Sequence, residues 1–147
     1  MNVRIDLKTD YSGEDVDAIR LPLIASNREA SGRVAGYHPF VFHIIDPASG
    51  APVGGASGHG SFDWIFLELL FVPASLRGQG LGTQLMAHVE QFARERGLIG
   101  VWLDTFSFQA RPFYERLGYA VFGTLDDHPT GGQRFFMQKR LDQPATH

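Results

Sequence analysis

The feature that most restricts the fold lies between residues 64 and 103. An apolar stretch from Trp64 to Val72 ends at Pro73. A glycine-rich loop then leads into a segment from Gly80 to about Arg96, in which Leu81, Leu85, Met86, Val89, Phe92 and Ala93 share one helical stripe. Glu90 and Arg94, one turn apart, are set to pair. Gly97 stops the helix, and Leu98 to Leu103 is almost wholly apolar, as a strand covered on both faces must be. Strand, helix and buried strand in that order form a parallel crossover. The rest of the chain has to be arranged around that strand pair.

Upstream, Val3, Ile5 and Leu7 alternate with charged neighbours and predict a half-buried first strand. Ser12 offers a helix cap, Glu14 and Asp15 suit a first turn, and a helix is expected from Val16 to about Glu29, kinked or divided at Pro22. Phe40 to Ile45 predicts a strand that turns at residues 46–50 and returns from Pro52. Four glycines between Gly54 and Gly60 predict a bulged or loosely twisted hairpin. Downstream, a short helix is expected from about Gln109 to Leu117, capped by Ser107, with strands at Tyr119 to Phe122 and Arg134 to Lys139. The tail from Asp142 is expected to fray.

The 147 residues suit one domain spanning 1–147, and an apolar content of 44% is enough for a full core. A formal charge of -3 gives no general reason to expect nucleic acid or an anionic membrane as partner. The chain has no cysteine, which removes disulfides, thiolate metal sites and any acyl-cysteine intermediate. Its polar amino terminus does not read as a secretion signal, and no apolar run reaches the roughly 20 residues of a membrane span. A cytoplasmic location is the expectation.

The loop before the Gly80 helix carries the functional argument. Its sequence is Arg77-Gly78-Gln79-Gly80-Leu81-Gly82-Thr83. Glycines allow a ligand close to the main chain, the first helical turn leaves N–H groups without internal partners, and Arg77 adds a forked cation. Such a loop can cradle a diphosphate. The same glycines also satisfy a tight strand-to-helix turn that binds nothing. A P-loop is excluded because the lysine is missing, and the spacing G-x-G-x-G is not the dinucleotide fingerprint.

Arg77-x-x-Gly80-x-Gly82, placed after Leu70-Phe71-Val72-Pro73, resembles the coenzyme A signature of the GNAT superfamily of N-acetyltransferases. Phe113-Tyr114-Glu115-Arg116-Leu117-Gly118-Tyr119 resembles that family's second motif. The resemblance is strong from about Trp64 to Phe122. It implies an α/β (α+β) fold: a mixed, mostly antiparallel sheet with a central splayed parallel pair, flanked by helices. It further implies that acetyl-CoA enters the splay. Pantetheine would pair with main-chain groups around Leu70, Phe71 and Val72, and the N–H groups from Gly78 to Thr83 would hold the pyrophosphate. Many relatives carry an Asn ahead of the short helix. This chain has Ser107, Phe108 and Gln109 there, and Gln109, with Phe113, is the candidate for the coenzyme contact.

The implied chemistry is attack of a primary amine on a thioester, without metal. An alkylamine with a pKa near ~10.4 is mostly protonated at neutral pH, and freeing it costs roughly 4.6 kcal/mol, so a base is expected together with a proton donor for the thiolate. Tyr114 matches the family's tyrosine and is the acid candidate, although Ala110, Phe113, Tyr114 and Leu117 also make an ordinary buried helix face. Glu68, an acid within an apolar strand and on the face of Phe66 and Leu70 by simple alternation, is the base candidate; a solvated or ion-paired Glu is equally compatible. Asp104 ends the second parallel strand and reads more as a turn cap than as a functional group. His59 and His128 sit in glycine-containing segments and read as surface histidines, while His38 and His43 should face opposite ways. Two other readings stay open: a domain of the same fold that holds acyl-CoA without turnover, and an unrelated nucleotide-binding α/β domain. The resemblance also allows a homodimer, with Phe135 and Phe136 as either contact or core residues.

Overall fold

The computed structural model describes residues 2–143, so the tail expectation for residues 144–147 lies outside the described residues. The chain up to Ala35 forms one compact unit and the chain from Gly36 onward another. In the first unit, α1 spans Gly13–Ser31. The Asp15 carboxylate accepts from Lys8 Nζ at 2.9 Å and from the Ser12 N–H at 3.0 Å, and these bonds hold its pKa below the usual value. Gly32, at φ 69°, closes the other end with its N–H on the Arg28 carbonyl.

One expectation is narrowed in this unit and one fails. Pro22 lies inside α1 without dividing it. The carbonyl deprived of a partner is that of exposed Ala18, where water can substitute. The strand predicted at Val3, Ile5 and Leu7 does not form, and these side chains are 81%, 99% and 88% exposed. Alternation supplies a face, but a strand also needs a neighbour's main-chain groups, and α1 is the only regular element described in this unit.

The second unit contains β1 (His38–Ile45), β2 (Pro52–Ser61), β3 (Trp64–Phe71), α2 (Leu81–Glu95), β4 (Gly100–Phe106), α3 (Arg111–Arg116), β5 (Ala120–Asp126) and β6 (Gln133–Arg140). They make one six-stranded sheet in the order β1-β2-β3-β4-β6-β5. The β3–β4 pair is parallel and its four neighbouring pairings are antiparallel, so the predicted fold class is the observed one. His43 alternates outward from half-buried His38, as odd spacing requires.

The core lies between the sheet and α2. Ile65, Val89, Ala93, Val101 and Met137 are fully shielded, with Leu67, Leu85, Met86 and Leu103 nearly so. Burying each such Val, Leu, Ile or Met contributes about 1.5–3 kcal/mol, which is what clamps α2 across the strand pair. Phe135 belongs to this core and is not available as a contact residue.

One irregularity decides the site. Ser57 pairs with Leu69 and Gly58 with Leu67, so Glu68 is an extra residue bulged out of β3. β2 can follow that bend because Gly58 has no side chain: a Cβ there would lie 2.1 Å from the Phe66 carbonyl oxygen. The bulge reverses the alternation beyond it. Leu70 therefore joins the face of Ile65 and Leu67, and the expectation that Phe66, Glu68 and Leu70 share a face is wrong. At the same point the parallel pairing stops. It runs from Trp64 with Gly100 to Leu67 with Leu103, while β3 continues to Phe71 and β4 to Phe106. The two strands part there.

Candidate active site

The loop from β3 to α2 begins with Pro73 and a single tight turn, Ala74–Leu76. Gly80 precedes α2 at φ 77°, in the left-handed region where a Cβ is costly. Gly82 serves a different purpose, since a Cβ there would come within 3.1 Å of the Phe113 ring and separate α2 from α3. The first helical N–H to bond back is that of Gln84, to the Gly80 carbonyl at 3.0 Å. The N–H groups of Leu81, Gly82 and Thr83 precede it, and the helix supplies them no acceptor.

These donors border a cavity of about 680 Å³. Leu70, Phe71 and Val72 form one wall, Arg77, Gly78 and residues 80–83 another, and Phe108, Gln109, Ala110, Phe113 and Arg116 the third. Of the predicted cofactor residues only exposed Gln79 does not line it. The Arg77 Nε donates to the Val72 carbonyl at 3.1 Å, which ties the guanidinium to the end of β3. Arg116 brings a second guanidinium that the sequence pattern did not single out. Its spacing of three from Phe113 on α3 was the available signal.

A second cavity of about 460 Å³ opens where β3 and β4 part. Leu67 to Leu70 and Leu103 to Phe106 are its sides, and Tyr114 and Arg134 also line it. Leu70, Gln109 and Ala110 border both cavities, so the two adjoin at the splay.

Gln109 is fixed there by the end of β4. Its side-chain oxygen accepts from the Phe106 N–H at 2.8 Å, and its own N–H bonds to the Phe106 carbonyl at 2.9 Å. The Thr105 hydroxyl accepts from the Ala110 N–H at 3.3 Å. Ser107 is therefore not the cap of α3, which starts at Arg111. The Ser107 hydroxyl instead accepts from the Gln133 N–H at 3.1 Å, tying β4 to β6.

Tyr114 is 6% exposed, and its ring packs against Phe113 and Tyr119. Burial, and then the negative charge of Asp104, pushes its pKa up to about 12. Among the described residues its hydroxyl has no hydrogen-bond partner, yet no buried side-chain polar atom is left unsatisfied, so the oxygen reaches the open cavity. The phenol is thus fixed in its neutral, donating form. Behind it, Glu90 accepts from the Tyr119 hydroxyl at 3.0 Å and Lys139 Nζ at 2.9 Å, with Arg94 at 3.8 Å. The expected Glu90–Arg94 pair exists, but sequence spacing could not show the two closer partners.

Asp104 does not cap a turn. Arg134 places Nε at 2.8 Å and Nη2 at 2.7 Å from its Oδ1, and Arg134 Nη1 meets His128 Nε2 at 3.3 Å. His128 also stands edge-on to Phe106, at the margin of the second cavity. His59 lies between Tyr37 and Phe66 and lines neither cavity. Glu68 lines the second cavity from the bulge, exposed and without an ion-pair partner among the described residues. No three His, Asp or Glu side chains among the described residues could hold a metal ion. No helix among them is long and apolar enough to cross a membrane.

Known proteins share this fold. The chain is 35% identical over 124 residues to the acetyltransferase Atu2258 of Agrobacterium fabrum, covering 84% of this chain and 89% of that protein. It is 41% identical over 93 residues to the blasticidin-S acetyltransferase of Streptomyces morookaense, covering 63% and 68%. A solved Agrobacterium tumefaciens structure assigned as an acetyltransferase superposes with a TM-score of 0.87 at 32% identity, covering 95% of this chain and all of that one. A Bacillus anthracis protein assigned as a streptothricin acetyltransferase, solved with acetyl-CoA, shares the fold at 19% identity and a TM-score of 0.62, covering 71% and 64%. The acetyltransferase (GNAT) family model matches residues 7–119, and the chain belongs to that family.

Proposed function

We propose that this protein transfers an acetyl group from acetyl-CoA to a primary amine by direct attack within a ternary complex. The observation that carries the reading is the meeting of two cavities at Leu70, Gln109 and Ala110, with the Tyr114 hydroxyl open to the second. The first cavity fits the coenzyme. It has apolar walls at Leu76, Phe108 and Phe113, unpaired helical N–H groups, and the guanidinium groups of Arg77 and Arg116 for phosphates. Where β3 and β4 part, main-chain groups of Leu70 and Val72 are free of the parallel ladder and suit an extended, amide-bearing chain. The family match begins at residue 7 and so includes α1, which supports treating residues 1–147 as one acyltransferase domain.

Acetyl-CoA supplies an activated thioester carbonyl. Glu68 takes a proton from the incoming ammonium, directly or through water, and frees the lone pair. As the C–N bond forms and the C–S bond breaks, Tyr114 hydrogen-bonds the departing sulfur, and the second proton lost by the nitrogen passes through water to that thiolate, leaving the amide and the thiol. A phenol near 12 is a weaker acid than a thiol near ~8.5, so this donor stabilises negative charge on sulfur more than it surrenders its proton. The name of the blasticidin-S acetyltransferase relative supports a small-molecule amine as acceptor.

The test pairs acetyl-CoA calorimetry with thiol release across amines, peptides and proteins. Binding together with turnover on a primary amine is the expected result. Binding without turnover on any acceptor identifies a non-catalytic acyl-CoA module, and tighter binding of ATP or NAD than of coenzyme A identifies a nucleotide-binding domain.

A further inference from the structure

The second cavity has a charge pattern that selects among amines. Two carboxylates and one guanidinium line it: Glu68, Asp104 and Arg134. Arg134 places two nitrogens on Asp104 Oδ1 and a third beside His128, so the guanidinium is committed and its charge is cancelled locally. Glu68 has no such partner, and Asp104 Oδ2 takes no hydrogen bond among the described residues. The cavity therefore presents a net single negative charge and open carboxylate oxygens. An independent mark of a ligand site stands in the same cavity. Tyr114 is 6% exposed and directs an unpartnered hydroxyl into it. Phe106 adds an aromatic wall carrying no charge.

Resting on the acetyltransferase reading, we infer that the acceptor is a small cation that bears a second positive group besides the amine acetylated and has no carboxylate beside that amine. The physical reasons are two. A carboxylate would meet Glu68 and the outer oxygen of Asp104, with no uncommitted cation to receive it. A second cation would find carboxylate oxygens that water alone otherwise serves. A cavity of about 460 Å³ admits such a molecule whole.

The experiment measures kcat/KM at fixed acetyl-CoA for matched amines: agmatine against arginine, which differ by the carboxylate, and agmatine against 1-aminobutane, which lacks the guanidinium. Agmatine is expected to exceed each of the others by at least about 10-fold at low salt, and its advantage over 1-aminobutane is expected to shrink as ionic strength rises. Asp104→Asn removes one negative charge and is expected to cut the agmatine-to-aminobutane ratio by about 10-fold. The salt series on the unaltered protein tests the same charge preference should that variant fold poorly. Equal rates for arginine and agmatine, a salt-independent preference, or faster turnover of an uncharged peptide amine would each overturn the inference while leaving acetyl transfer intact. Coenzyme binding without turnover of any amine would instead overturn the acetyltransferase reading and this inference with it.

Discussion

Replacing Tyr114 by Phe isolates one oxygen atom. The hydroxyl has no protein partner among the described residues, and the ring that packs on Phe113 and Tyr119 is retained. Stability and acetyl-CoA affinity should therefore stay within about 0.5 kcal/mol of the parent. Turnover should not. A hydrogen bond from the neutral phenol to a sulfur gaining negative charge is worth about 1.5–3 kcal/mol, which corresponds to a fall in kcat of about 10- to 150-fold. The pH dependence is equally specific. With the phenol pushed up to about 12, it remains a donor through pH 10, so the parent-to-variant ratio should be flat from pH 7 to 10. A phenol at the ordinary value near ~10 would already be half ionised at the upper limit. Because burial of the charged form is the main cause of that rise, the parent should lose up to about 3 kcal/mol of stability as pH climbs from 10 through 12, and the Phe variant should not. Continuous thiol detection against pH, with chemical denaturation of both proteins, measures all of this. Unchanged kcat in the variant, or a ratio that collapses before pH 10, would refute the role assigned to Tyr114.

Other positions make separate demands. Lys139→Met leaves the buried Glu90 carboxylate with Tyr119 at 3.0 Å and Arg94 at 3.8 Å, and should cost about 3–5 kcal/mol in denaturant unfolding; a loss under about 1 kcal/mol means that Arg94 takes over. Gly80→Ala places a Cβ at φ 77°, so it should cost about 1–2 kcal/mol and weaken acetyl-CoA binding through the displaced first turn of α2, as calorimetry would register. Arg77→Ala and Arg116→Ala should each raise the coenzyme dissociation constant several-fold, with a shallower salt dependence than the parent; equal binding at all salt concentrations argues that the phosphates lie elsewhere. Glu68→Gln should lower kcat/KM by about 100-fold or more, and unaltered turnover would dismiss Glu68 as base.

The parts of the molecule legible in the sequence are those governed by short-range rules. The α2 stripe, its end at Gly97 and the glycine loop ahead of α2 follow from local periodicity or main-chain conformation and stand where they were expected, while β4, expected at Leu98 to Leu103, runs from Gly100 to Phe106. Tyr114 was legible through motif resemblance. Its burial was readable from the α3 stripe, but its open hydroxyl was not, because that depends on what surrounds the oxygen.

What the chain order alone determined is a parallel crossover with a glycine-rich helix start beside it, since the spacing of apolar residues and glycines leaves few other ways to bury one face. What only tertiary structure decided is where the sheet opens and which charges meet there. The bulge at Glu68 arises from pairing between β2 and β3, and it reversed the facing of Leu70 against simple alternation. Asp104 and Arg134 are 30 residues apart and become an ion pair only because β4 and β6 are neighbours. Val3, Ile5 and Leu7 show the converse: alternation without an adjacent strand leaves main-chain groups to water, and no strand forms.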